Sequence, residues 1–366
     1  MNLVRLWTIA RLELLQRVRT VSWYVLLGLF GLALLGVTAL SFLSYGGWGT
    51  GGAGVYSVVV CVTLLLVLLV SPTLSGNSIN GDRDAATLAP VQVTLATTAE
   101  ILFGKFLAAW ITGLAFALVA APFLVVATLA GDVNPLTVVV SLAILVVETG
   151  IISGIGVALS GILARPLFSV VATYLVVAAL AVGSLIGFGL LGSAMSSEGI
   201  SHNRSLAYDE HGNVICTDGS KRCYDDPEAM VCADWVTNTY RVPRFDRVWW
   251  MLSANPFVIL ADAAPTRFDA RGNPDDAFGW MKSSVRSAQI APTLESSWDE
   301  CDPANYRGDV DGRSGYKTPE QIIAQTVPSW FVGLAVQLAL TGLLLWWAWA
   351  RTRTPARTLP PGTRIA

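Results

Sequence analysis

Asp82, Arg83 and Asp84 stand together in GNSINGDRDAATLAPVQVTL, residues 76–95, and they are the first charges after Arg19. Side chains of these types beside a short helix can do two things. A carboxylate can accept backbone N–H bonds at the helix N-terminus, and a guanidinium can form an ion pair with another protein. Asn80-Gly81 allows a tight turn just before them. Asp82 or Asp84 would then cap a short helix on which Thr87, Leu88 and Val91 offer a small mixed surface. Thr97 or Thr98 can start the next helix, with Glu100 in its first turn and Lys105 beyond it. The same residues also describe a solvated connector whose charges only hold topology.

Glu148 is the acidic residue of an otherwise apolar stretch, LAILVVETGIISGIG. A carboxyl facing hydrocarbon is costly, so it is expected to face a helix interface or a cavity. There it can contact a substrate or ion, or bond to another helix. Gly150-x-x-x-Gly154 follows, a small-residue contact signal that serves equally within the chain or between two copies. Cys216, Cys223, Cys232 and Cys301 lie in a polar region, where four cysteines suggest two disulfides with three possible connectivities. Free thiols and a zinc site with His202 and His211 are the competing readings, although no C-x2-C pair exists. Cys61 lies in an apolar run and reads as a buried small side chain. His202, Asp209, Glu210 and His211 are the best acid–base candidates for an external enzyme site, but they lack any specific spacing such as H-E-x-x-H.

The elements that must carry these groups are set by composition. Of 366 residues, 53% are hydrophobic and 14% charged, and the mean hydropathy is +0.56. A soluble domain carries about a quarter charged residues. A net charge of −2 gives no case for nucleic-acid binding. Apolar runs at 21–42, 55–74, 106–129, 136–159, 167–191 and 328–350 are each long enough to cross about 30 Å of hydrocarbon as a helix. The expected fold class is an all-α membrane protein with six transmembrane helices and a large extracytoplasmic segment between helices five and six.

Residues 1–20 read as an interfacial amphipathic helix, with Leu3, Leu6, Trp7, Ala10, Leu14 and Val18 on its apolar side. It is taken as retained rather than cleaved as a signal. Eleven basic residues, Arg5, Arg11, Arg17, Arg19, Arg83, Lys105, Arg165, Arg351, Arg353, Arg357 and Arg364, share one side of a six-span topology. The opposite short loops, 43–54 and 130–135, have none. The excess of positive charge therefore places both termini in the cytoplasm, at the cell membrane. Residues 192–327 become an external, cysteine-containing domain holding 20 of the 26 acidic residues. Within it, 247–266 is apolar but short, and Trp249, Trp250 and Phe257 suggest an interface contact or a re-entrant helix. Residues 351–366 form a cytoplasmic tail.

This layout resembles the permease subunit of an ABC-2 type transporter. In that family an acidic–basic pair follows the second span, then Gly/Ala-Thr-Leu, a short helix, and a Gly-Lys before the third span. The matching residues are Asp82, Arg83, Asp84, Ala86, Thr87, Leu88, Gly104 and Lys105. Asp82 replaces the usual Glu and Ala86 the common Gly. The likeness covers most of 1–192 and 328–350, while the long external segment departs from compact members. It implies a coupling segment at about 75–104 that docks a separate cytoplasmic ATPase through Asp82, Arg83, Asp84, Thr87, Leu88 and Val91. It also implies a second permease copy or homologous permease, and export of an unnamed substrate. ATP and Mg would sit on the partner, since this chain has no G-x-x-x-x-G-K-[ST] loop, binds no cofactor directly and is not expected to be an enzyme. A receptor or structural subunit with a ligand-binding ectodomain is the alternative, and a membrane enzyme a further one.

Overall fold

The computed structural model describes residues 2–45, 51–84, 96–131, 133–217, 229–302 and 317–352. Helix α1 (Leu3–Val18) starts at Asn2, whose side chain accepts from Val4 N, and α2 (Val21–Ser44) follows after a two-residue break. Next come α3 (Gly52–Ser75), the short α4 (Asn80–Asp84), α5 (Thr98–Val119) and α6 (Ala121–Leu129). Then come α7 (Pro135–Ile162), α8 (Pro166–Ala178), a π-helical turn (Ala179–Gly183) and α9 (Ser184–Ala194). The polar segment holds β1 (Ser196–Arg204), β2 (Val236–Pro243), α10 (Trp250–Ser253), α11 (Pro256–Ala263), α12 (Ala277–Ser287), β3 (Glu295–Asp299) and α13 (Pro319–Gln325). Helix α14 (Trp330–Thr352) closes the described chain.

Six of these stretches are long and apolar enough to cross a membrane: Val21–Ser44, Gly52–Asp84, Thr98–Leu129, Pro135–Ile162, Pro166–Ala194 and Trp330–Thr352. The expected spans are all found. The all-α expectation needs correction, because β1 pairs antiparallel with β2 and parallel with β3 in a three-stranded sheet.

Side-chain contacts fix the direction of each span. Spans one and three run the same way, since Trp23 packs on Phe116 and Gly31 approaches Val119. Spans two and four are also parallel, joined by Tyr56–Ser141 at 2.9 Å and Ser71–Ser153 at 3.2 Å. Spans three and four oppose each other, with Phe106 beside Gly154 and Trp110 donating to Val146 O. Spans four and six are parallel, with Gly154 against Thr341 and Gly161 against Ala348. Span five opposes span two, with Ser169 bonded to Gly76 O and Tyr174 to Leu69 O, so odd and even spans point in opposite senses. The α1 helix and the end of α14 share one end of the bundle, and the polar segment caps the other.

Span four is the hub. Every residue from Glu148 to Ile162 is buried. Its glycines make that possible: a Cβ on Gly156 would sit 1.9 Å from Ser75 Oγ, and one on Gly154 2.7 Å from Thr341 Cγ2. Gly150 meets Trp110, so the Gly150-x-x-x-Gly154 signal serves contacts within the chain.

The polar segment is built into the bundle. The stretch expected as an interface contact or re-entrant helix forms α10 and α11, and Ile259, Leu260, Ala261 and Ala264 join the main apolar core with Val55 and Val59. Asn255 caps α11 through its carbonyl oxygen. Its amide nitrogen donates to Ala181 O at 2.7 Å and Ser184 Oγ at 2.9 Å, meeting the π-turn of span five. A π-turn breaks the regular ladder, and Asn255 gives its Ala181 carbonyl a donor.

Candidate functional site

The charged end of the bundle is assembled around residues 76–84. Helix α3 ends at Ser75, and the chain turns inward rather than out to solvent. Ile79 N and Asn80 N both donate to Ser160 Oγ at the end of span four, at 2.9 and 3.0 Å. Asn80 Nδ2 donates to Ser169 Oγ at 3.0 Å, and Ser169 Oγ donates to Gly76 O at 2.6 Å. Arg83 spends its guanidinium on Asn80 Oδ1, Leu163 O and Gly161 O, at 3.0 to 3.1 Å. Arg83 thus meets the carbonyls that end span four, which have no partner further along that helix.

Lys105 is the centre of this end. It is 3% exposed, and its ammonium bonds to Glu13 of α1, to Asp82 at 2.7 Å and to Ser78 O at 2.8 Å. Asp82 is therefore an ion-pair partner of Lys105. One turn earlier the start of α5 is as expected: Thr97 and Glu100 form a reciprocal capping box. Glu100 Oε1 also accepts from Asn2 N at 2.5 Å. Gly104 lets α1 come close, since a Cβ there would lie 2.9 Å from Ile9 Cγ2. Arg17 completes the strap, donating to Thr112 Oγ1 and Leu74 O at 2.9 Å. Helix α1 thus lies along the first half of span three, held by four successive contacts. Gly104 and Lys105 do separate work there: the glycine sets the approach and the lysine supplies the charge.

The sequence reading missed Glu13, Asn80, Ser160 and Ser169 as members of this joint. Their polar side chains at the ends of apolar runs were the available signal. Asp84 is exposed beside the joint. Thr87, Leu88 and Val91, and the tail from 353, lie outside the described residues.

The opposite end carries a second buried polar set. Asp262 and Arg286 are both buried and bond at 2.6 Å. Asp262 Oδ2 also accepts from Ser329 N, Ser329 Oγ and Trp330 N, capping span six from outside. Lys282 donates to Ala264 O, and burial pushes its ammonium down to about 8. Burial likewise raises the Asp276 carboxyl above the usual carboxylate range. Ala277 N donates to Ser57 Oγ and Thr137 Oγ1 to Pro265 O, so spans two and four are tied to the same collar.

The cysteines form disulfides, as the first of the competing readings had it. Cys232 bonds Cys301 across 69 residues with a Cα–Cα distance of 6.1 Å. Cys216 is disulfide-bonded too, while Cys223 lies outside the described residues. Cys61 is free. The candidate enzyme groups do not converge. His202 lies on β1 against Thr237 Oγ1, and Asp209 is occupied by its own turn, accepting from His211 N and Asn213 N. Among the described residues no group of three or more His, Cys, Asp or Glu could hold a metal ion. Glu148 is fully buried in the middle of span four.

No protein-family model matches the chain, and no curated protein matches its sequence.

Proposed function

We propose that the chain is the membrane subunit of an ABC-2 type transporter, with both termini in the cytoplasm and residues 192–327 outside. A separate ATPase supplies hydrolysis, and this chain, with a second permease copy, supplies the path. The observation that carries the reading is the Lys105 joint. A short charged element directly after span two is bonded to spans three, four and five and, through Lys105, to α1. A partner pressing on the neighbouring surface would therefore displace several spans together, which is what coupling to a nucleotide-driven closure requires. Asp84 and the Thr87, Leu88 and Val91 surface would meet the partner, while Asp82 and Arg83 hold the element to the bundle.

The test is purification of the tagged full chain from its native membrane, with ATP turnover measured in lipid. An ATPase should accompany the wild-type chain. Leu88→Asp should remove it while leaving membrane insertion intact. A buried Leu contact is worth about 1.5–3 kcal/mol, or roughly 10- to 150-fold in partner affinity. A wild-type chain that carries no ATP turnover and no partner would reject the transport reading in favour of a receptor or structural subunit. An unaltered Leu88→Asp complex would remove the docking role from this segment.

A further inference from the structure

Glu148 has an unsolved hydrogen-bonding problem. Its carboxyl is fully buried, and neither Oε1 nor Oε2 has a partner. The Gln337 side chain of α14, also fully buried, lies against it. Gln337 Nε2 donates one hydrogen to Ala254 O at 2.9 Å, and Gln337 Oε1 has no hydrogen-bond partner. None of these three oxygens, packed between two parallel spans, has a hydrogen-bond partner among the described residues.

The charged and titratable groups of the surrounding elements are engaged elsewhere. On span three, Lys105 holds Glu13 and Asp82, and Glu100 takes Thr97 N and Asn2 N. Arg17 of α1 reaches Thr112 and Leu74. Tyr56 of span two bonds Ser141, Cys61 is a free cysteine, and Tyr174 of α8 donates to Leu69 O. Asp262 of α11 is bound to Arg286 and Ser329. Arg351 lies about 21 Å along α14 from Gln337.

We propose that Glu148 is a proton-binding site, loaded in this conformation, whose acid O–H donates to Gln337 Oε1 and joins span four to span six. A carboxylate ion at this depth without donors is heavily penalised, whereas one proton satisfies two of the three oxygens at once. The proton comes from hydronium, leaving a neutral carboxylic acid and water. When the two spans part enough to admit water, the carboxylate is hydrated and the proton returns to solvent. Closure of the span four–span six contact and proton uptake are then one linked event. This holds whether or not the chain works with an ATPase.

Infrared spectroscopy of the full chain in lipid tests it. At pH 7 a protonated carboxyl absorption should be present in the wild type and in Asp276→Asn, and absent in the isosteric Glu148→Gln. Gln337→Met should keep the absorption but shift it to higher frequency, because the acceptor is gone. Identical spectra for wild type and Glu148→Gln overturn the proposal, and an unshifted band in Gln337→Met overturns the shared proton. Should Glu148→Gln fail to fold, the band of Asp276→Asn decides: its disappearance between pH 7 and 10 supports the site, and its absence at pH 7 refutes it. The mechanical part is read by spin labels at Leu136→Cys and Phe331→Cys with Cys61→Ala. Raising the pH to 10 should lengthen that distance in the Glu148 protein and not in Glu148→Gln; an equal response in both overturns the linkage.

Discussion

Replacing Lys105 with Met should detach α1 from span three. The ammonium is 3% exposed, and its partners Glu13 and Asp82 are 20% and 32% exposed. Raw attraction at 2.7 Å with an effective dielectric of 20 is about 6 kcal/mol per partner, much of it offset by the cost of burying the ammonium. Losing one member of a buried ion pair costs about 3–5 kcal/mol. Both carboxylates keep some contact with water, so the lower figure applies, about 3 kcal/mol. Asp82→Asn differs, because Lys105 keeps Glu13 and Ser78 O; about 1 kcal/mol is expected. Ala10 is fully buried, so a cysteine there reports opening. With Cys61→Ala as background, the labelling rate of Ala10→Cys by a thiol reagent should follow the open population. It should rise about 150-fold in Lys105→Met and about 5-fold in Asp82→Asn. Adding Asp82→Asn to Lys105→Met should slow labelling again, because one of two facing carboxylates is gone. Equal rates for Lys105→Met and wild type, or for the two single variants, would refute the clamp.

Three further outcomes follow from the two ends of the bundle. A membrane-impermeant thiol reagent on intact cells should label Ser284→Cys and not Thr97→Cys; the opposite pattern inverts the topology. Non-reducing peptide mapping should recover Cys232 joined to Cys301, and replacing both by Ser should cost the polar segment about 4 kcal/mol for a loop of this length. Lys282 releases its proton near pH 8 in the folded chain instead of near 10.5, so the unfolded state binds more protons between those values. Stability should therefore rise with pH from about 8 to 10.5, and Lys282→Met should abolish that rise in thermal melts.

The six spans were legible because apolar runs of membrane length have few other solutions. The Thr97 start was legible because a capping box is local. The sheet was not: β1 reads SSEGISHNR and β2 is exposed along most of its length, so no apolar alternation marks either strand. The Lys105 joint was half legible. Its charges could be seen, but Glu13 is 92 residues away and nothing local tells a carboxylate whether to cap, dock or pair. Asn255 shows the same limit, since its cap of α11 is readable beside Pro256 while its bond to the π-turn is 74 residues distant.

The capping of span six by Asp262 also links the last helix to residues that precede it in synthesis. Asp262 leaves the ribosome before Ser329 and Trp330, yet its carboxylate must be in place for the start of the last helix to be satisfied. Arg286, which orients that carboxylate, lies between them in the chain. Seating of the last helix against span four is thereby tied to the folding of the polar segment. A chain whose polar segment is unfolded loses the Asp262 cap, and with it one of the ties that hold Thr341 against Gly154 and Ala348 against Gly161.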